Sequence, residues 1–206
     1  RIEQGGDLSF PEENPKRLNG TDALEGNDPA DYTEGWSTPQ SGDIRLDQAS
    51  KKEGLASLKV VGTTDSWGNL GLRYNLGGTW DFRKYSLMEI WVKASEKTAF
   101  SITLHDSAGE TRTFWGIEGD GSSATTKWKR LVVNLANYTQ QTRNFDITTV
   151  DFVDFYVSSN PGKEMSLWID DLAVDNLPNA EVNIYKARVL VEDTVIVYFA
   201  LRVATS

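Results

Sequence analysis

Between Asp22 and Asn176 apolar and polar residues alternate in short runs separated by Gly, Asn, Asp and Pro, which is the signature of β-strands with one buried face. The clearest runs predict strands at Ala56 to Val61, Leu70 to Leu76, Leu87 to Ala94, Ala99 to Asp106, Thr111 to Ile117, Trp128 to Leu135, Val150 to Ser158 and Ser166 to Val174. No window sustains a helical period. Ser107-Ala108-Gly109-Glu110 joins two strands, Gly77-Gly78 and Asn160-Pro161-Gly162 end others, and Gly119 to Ser123 makes a longer loop. Strands at this spacing predict an all-β protein, a two-sheet antiparallel sandwich.

The ends differ. Residues 1–21 carry Pro and Gly-Gly punctuation and one aromatic, Phe10, too little to build a core, so they read as a linker or strap beside a sandwich at 22–176. Residues 177–206 open with Leu177-Pro178-Asn179-Ala180 and contain the apolar run Thr194 to Phe199. They read as a linker and the start of a following β domain, or as an edge hairpin.

Composition narrows the chemistry. In 206 residues there are 30 Asp and Glu against 21 Lys and Arg, a net charge of −9, and this balance opposes binding to nucleic acid. With no Cys and one His, His105, thiolate chemistry and multi-histidine zinc sites are excluded. No stretch approaches the roughly 20 apolar residues of a membrane span. The chain begins with Arg rather than Met and shows no apolar signal region, as a mature or cut chain would.

Because neighbouring side chains on a strand face opposite ways, each run splits into a core set and an outward set. The outward sets are Gly71, Arg73 and Asn75; Glu89, Trp91 and Lys93; Ser101, Thr103 and His105; and Asp154, Tyr156 and Ser158. Alternation thus predicts four strands sharing one polar face that bears large flat groups. Trp115 extends the same face at its rim, and Trp67 and Trp80 lie in turn-rich segments beside the sheet ends. Flat rings stack on the C–H patches of sugars, while amides, carboxylates and guanidinium groups bind their hydroxyls. The alternatives are structural: Trp91 packed under a loop, His105 a satisfied surface residue, Arg73 and Glu89 paired across strands, Trp80 a plug for the sandwich end, and Trp128 a framework residue.

Five segments in order carry a resemblance: Glu53 to Val60, Leu87 to Ala94, Trp128 to Leu131, Val153 to Val157, and Leu167 to Leu172. Over about Asp22 to Asn176 the chain resembles the β-jelly-roll (galactose-binding-like) carbohydrate-binding modules attached to bacterial polysaccharide-degrading enzymes. The resemblance implies a secreted or cell-surface monomer. It would bind a polysaccharide on a concave sheet face or at edge loops and be linked to a catalytic domain. It also implies a structural calcium ion (Ca2+) held by an early carboxylate, Asp22 or Glu25, by a backbone carbonyl at Lys51 or Glu53, and by Asp171, oxygen donors suited to that ion.

Two other functions stay in view. A jelly-roll glycosidase needs paired carboxylates flanking the scissile bond, and Asp151 and Asp154 straddle both faces while Glu89 has no acidic residue two positions away. A lyase could use His105, Tyr156 and Arg73, but its ordered motifs are missing. A cell-surface structural or protein-binding module would show an exposed apolar patch instead of aromatics among hydrogen-bonding groups.

Overall fold

The long alternating runs fold as strands of two sheets. The computed structural model describes residues 16–17, 28–115, 123–175, 180–183 and 200–203. In chain order the strands of the first unit are β1 (Lys16–Arg17), β2 (Trp36–Ser37), β3 (Gly42–Asp47), β4 (Ser57–Thr63), β5 (Asn69–Trp80), β6 (Leu87–Ala94) and β7 (Thr98–Asp106). They continue with β8 (Thr111–Trp115), β9 (Ser123–Ala124), β10 (Lys129–Asn134), β11 (Gln140–Gln141), β12 (Val150–Ser158) and β13 (Glu164–Asp175). Among the described residues the helical elements are two short 3-10 turns, Pro29–Asp31 and Phe82–Lys84.

One sheet has the order β10-β6-β13-β4-β3, with β1 also paired to β13; the other runs β11-β8-β7-β12-β5-β2, with β9 also paired to β7. All pairings are antiparallel. The expected β-sandwich is therefore present. Its core lies between the sheets, where the inward residues of β5 (Leu70, Leu72, Tyr74, Leu76) meet Met88, Ile90 and Val92 of β6 and Leu167 and Ile169 of β13 in one buried cluster. Each such aliphatic side chain removed from water contributes about 1.5–3 kcal/mol.

Two expectations about elements are corrected. Gly77-Gly78 does not end a strand: β5 continues to Trp80, and its pairing with β12 jumps from Asn75 opposite Phe152 to Trp80 opposite Val150. The extra residues are accommodated by Gly77 at φ +73°, so the glycines make a bulge rather than a stop. The edge strand β3 went unread because it is largely exposed and offers few buried apolar positions. The turn at Ser107 to Glu110 is as expected, with Gly109 at φ +82° and the Asp106 carboxylate accepting the N–H groups of Ala108 and Glu110.

The chain divides at Asn176 into two units, Arg1–Asn176 and Leu177–Ser206. In the second, β14 (Ala180–Asn183) pairs antiparallel with β15 (Ala200–Val203). The run Thr194 to Phe199, most of the strap at 1–21, Ile117 and most of the Gly119 to Ser123 loop lie outside the described residues.

Candidate functional site

Strands β7, β12 and β5 lie side by side, and paired residues of neighbouring strands project to the same side. The outward face of this sheet is therefore read directly from register. Its central row is Thr113, Thr103, Asp154, Arg73 and Ser37, one residue from each of five strands. The row on one side is Trp115, Ser101, Tyr156 and Gly71; the row on the other is Thr111, His105, Phe152 and Asn75.

At the centre Asp154 is fully buried, although it points away from the core. Arg73 Nε donates to its Oδ1 at 2.7 Å and Arg73 Nη2 to its Oδ2 at 2.8 Å, while the Tyr156 hydroxyl donates to Oδ2 at 2.7 Å. His105 Nε2 lies 3.0 Å from the same oxygen but approaches obliquely, keeping ion-pair distance without an aligned hydrogen bond. Burial raises the pKa of this carboxyl, but hydrogen bonding by Arg73 and Tyr156 together with the close approach of His105 outweighs it, and the net direction is down. The Tyr156 hydroxyl is pushed up, chiefly by burial and then by the charge of Asp154, so it remains a donor.

Flat groups surround this pair. The His105 and Phe152 rings stack at 4.2 Å with 24° between planes, and the Arg73 guanidinium sits 4.0 Å over the Phe152 ring. The Tyr156 ring lies over Gly71, where an added Cβ would fall 2.5 Å from Tyr156 Cδ1. Phe152 was overlooked in the sequence, although its position two residues before Asp154 gives it the same parity.

Trp115 is 54 % exposed at the rim, and its backbone N–H donates to Thr139 Oγ1 at 3.0 Å. Trp67 is 85 % exposed on the β4–β5 turn. That turn is fixed by Asp65 Oδ1, which accepts the N–H groups of Trp67 and Asn69, and by Gly68, at φ +81°, against Ser159 of the neighbouring turn. Asn69 in turn accepts from the Ser158 hydroxyl at the end of β12, so Trp67 stands beside the sheet end.

Trp91 and Glu89 are elsewhere. Both lie on β6, which belongs to the other sheet, and so the expectation that four strands share one face is corrected to three. Parity was read correctly on β6, but parity does not say which sheet a strand joins. The cross-strand pair of Arg73 with Glu89 is likewise replaced: Arg73 pairs with Asp154, and Glu89 with Arg130. Trp80 packs against Phe82 and Tyr85 next to the core, as the plug reading expects.

Only part of the expected calcium set falls among the described residues. Asp22 and Glu25 lie outside the described residues. Of the two C-terminal aspartates, Asp170 rather than Asp171 is buried, and its Oδ2 accepts the N–H groups of Lys52 and Glu53 while Oδ1 accepts that of Asp171. Asp171 sits in a bulge at φ +49°, and its N–H also donates to Asp28 Oδ2 at 2.6 Å. Asp31 Oδ1 accepts from Leu55 and Ala56. Glu53 is exposed, and the nearby carbonyls of Gly54 and Leu55 are held by Lys51 Nζ at 2.9 and 3.0 Å. Among the described residues these acids cap backbone N–H groups and the carbonyls meet an ammonium. Among the described residues no group of three metal-binding side chains is found, and the early carboxylates of the expected set lie outside them.

Residues 25–176 match the family model described as carbohydrate binding domain 30. Among solved structures, the chain is similar to the family 30 carbohydrate-binding module of the cellulosomal cellulase Cel9D-Cel44B of Clostridium thermocellum, at 19% identity and TM-score 0.51, covering 64% of this chain and 80% of that one. A second family 30 module aligns at 18% identity and TM-score 0.53 over 72% of this chain and 79% of the other. A family 11 module from Clostridium thermocellum, solved with a β-1,3-1,4-mixed-linked tetrasaccharide, aligns at 16% identity and TM-score 0.50 over 79% and 94%. At these identities the structural likenesses speak to the fold. No curated protein sequence matches the chain.

Proposed function

This chain belongs to the carbohydrate binding domain 30 family, and we propose that it holds a polysaccharide across the outward face of the β7-β12-β5 sheet and catalyses nothing itself. The observation that supports this face above all is the row Trp115-Ser101-Tyr156-Gly71. An exposed indole and a ring laid flat on the sheet stand there two strands apart, about 10 Å. Rings at that separation suit alternate sugars, two positions apart, of an extended chain. Ser101 supplies a polar group between them, and Arg73, Asn75 and Ser158 supply others on the neighbouring rows.

The same face argues against hydrolysis. Asp154 is the one carboxylate at its paired positions among the described residues, and it is neutralised by Arg73 instead of facing a partner across a cleft. A glycosidase needs two carboxyl groups about 5–9.5 Å apart. In a longer protein such a module would tether a catalytic domain outside the cell, raising its effective concentration at the substrate. No helix among the described residues is long and apolar enough to cross a membrane.

The test is affinity gel electrophoresis against mixed-linkage β-glucan, a probe suggested by the ligand of the family 11 module. Trp115→Ala should weaken retention by roughly 10-fold or more, the effect of losing a hot-spot aromatic. Unchanged retention in Trp115→Ala and Tyr156→Phe together with loss in Trp67→Ala would move the site to the turn. Failure of the wild-type chain to bind any neutral or acidic polysaccharide would sink the reading.

A further inference from the structure

The edge of the sheet beside Trp115 is made by strand β11, only Gln140–Gln141, which pairs with Thr113 and Arg112 of β8. So short a strand makes few ladder bonds, and the threonines on either side of it add others. The Thr139 N–H and hydroxyl both donate to the Thr113 carbonyl, at 2.9 Å each, while Thr139 Oγ1 accepts the Trp115 backbone N–H at 3.0 Å. On the far side the Thr142 N–H and hydroxyl donate to the Thr111 carbonyl at 2.9 and 3.2 Å, and Thr142 Oγ1 accepts the Thr111 N–H at 2.8 Å. Each end of β11 is thereby stitched to β8.

The two glutamines between these threonines have different partners, because opposite residues of paired strands project to the same side. Gln141 is opposite Arg112, on the side of the buried Phe114, and its Oε1 accepts Arg112 Nε at 2.8 Å. That guanidinium is held in turn 4.6 Å from the Tyr138 ring and 4.9 Å from the Phe145 ring. Gln140 is opposite Thr113 and so adds a sixth strand to the central row of the outward face. Its side chain is exposed, and among the described residues its amide makes no hydrogen bond. Trp115 is its diagonal neighbour on β8, a separation of about 7–8 Å.

We propose that Gln140 is a specificity-determining residue, the polar half of a subsite whose apolar half is Trp115, and that its amide binds hydroxyl groups of the sugar stacked on that indole. This rests on the reading of the outward face as the glycan site. A sugar laid on a ring keeps its equatorial hydroxyls near the plane of its own ring, directed at residues beside the indole. The other polar side chains there are already engaged: Thr103 and Thr113 bond each other at 3.1 Å, Thr139 bonds the β8 backbone, and Gln141 bonds Arg112. A primary amide carries both a carbonyl acceptor and an NH2 donor, so it can accept from one hydroxyl and donate to the next. The stitched edge holds the backbone of Gln140 in place before the sugar arrives, which reduces the ordering cost of binding to its side chain.

The experiment uses the full chain, with affinity electrophoresis on mixed-linkage β-glucan and thermal melts read side by side. Gln140→Met keeps the length of the side chain and removes both hydrogen-bonding groups, so Tm should hold while retention weakens about fivefold or more, the loss of two hydrogen bonds. Gln140→Glu keeps an acceptor without a donor and should fall between the two. Gln141→Met should show the reverse pattern: a lower Tm, because Arg112 loses its acceptor, with retention within about twofold of wild type where the variant is folded. Combining Gln140→Met with Trp115→Ala should cost less than the sum of the single losses, because both residues serve one sugar. Wild-type retention in Gln140→Met, when Trp115→Ala is weakened, overturns this proposal and leaves the face standing as the glycan site. Strict additivity in the double variant also overturns it, since the two residues would then hold different sugars. A wild-type chain that does not bind, or a Trp115→Ala variant that binds as wild type does, is instead a failure of the face itself, and the role of Gln140 falls with it.

Discussion

Arg73 and Asp154 face each other in register on β5 and β12 and are joined by two parallel hydrogen bonds of 2.7 and 2.8 Å, Nε to Oδ1 and Nη2 to Oδ2. This fork fixes the guanidinium as a flat platform over Phe152 while satisfying a carboxylate that has no access to water. Arg73→Ala leaves Asp154 buried with Tyr156 and His105 alone. Because the arginine side chain is about a third exposed, the expected cost is at the low end for a broken buried pair, about 2–3 kcal/mol in a urea melt. Arg73→Lys should restore less than half of it, since an ammonium cannot supply the fork.

The pH dependence follows from the depressed pKa of Asp154. A carboxyl whose pKa is lower folded than unfolded contributes stability above its unfolded value, about 3.9, and loses that contribution as pH falls through the folded value. Thermal melts between about pH 2 and 6 should therefore fall steeply below pH 4. Asp154→Asn should flatten that slope; an unchanged slope would mean another carboxyl governs acid unfolding.

Gly71 lacks a side chain because the Tyr156 ring occupies its space. In Gly71→Ala the Cβ would lie 2.5 Å from that ring and 2.7 Å from the carbonyl oxygen of Phe155, and backbone cannot yield as a side-chain tip does. The variant should lose about 1–3 kcal/mol by overpacking and bind β-glucan more weakly, since the ring must tilt. Calorimetric melts and affinity gels read the two effects separately.

Asp170 should be a stability residue. Its carboxylate receives three backbone N–H groups, from Lys52, Glu53 and Asp171. Asp170→Ala strands donors that cost about 1–3 kcal/mol each when left unsatisfied, so a loss of about 3 kcal/mol is expected. Glycan affinity at a temperature where the variant is folded should match wild type; a selective loss of affinity would place Asp170 near the ligand.

Trp91→Ala separates the two sheets. Since β6 is not in the sheet of Tyr156, the substitution should leave β-glucan affinity within about twofold, well under the cost of a hot-spot aromatic. A tenfold loss would show that neutral glycan reaches the β6 sheet.

Much of this was legible in the chain itself. Alternation in Leu70-Gly71-Leu72-Arg73-Tyr74 assigns the aliphatic residues to the core and Arg73 to the outside, and the structure agrees, with Leu70 and Leu72 fully buried. The same rule gave Asp154 and Tyr156 one face, and Trp115 its place beside them, because inward and outward follow from the two-residue period of an extended backbone.

What alternation could not supply is the partner of each strand. Leu87 to Ala94 and Ala99 to Asp106 are neighbours in sequence and read alike, yet the first pairs with β10 and β13 and the second with β8 and β12 in the other sheet. Pairing is decided by contacts between segments far apart in the chain, Trp91 with Asp170 for one and Tyr156 with Ser101 for the other. Those contacts form where two whole sheets bury their inner faces together, an energy no local window contains. The sequence by itself therefore determined which side of its strand each residue occupies. The tertiary structure alone decided that Trp91 and Tyr156 stand on opposite outer surfaces of the sandwich.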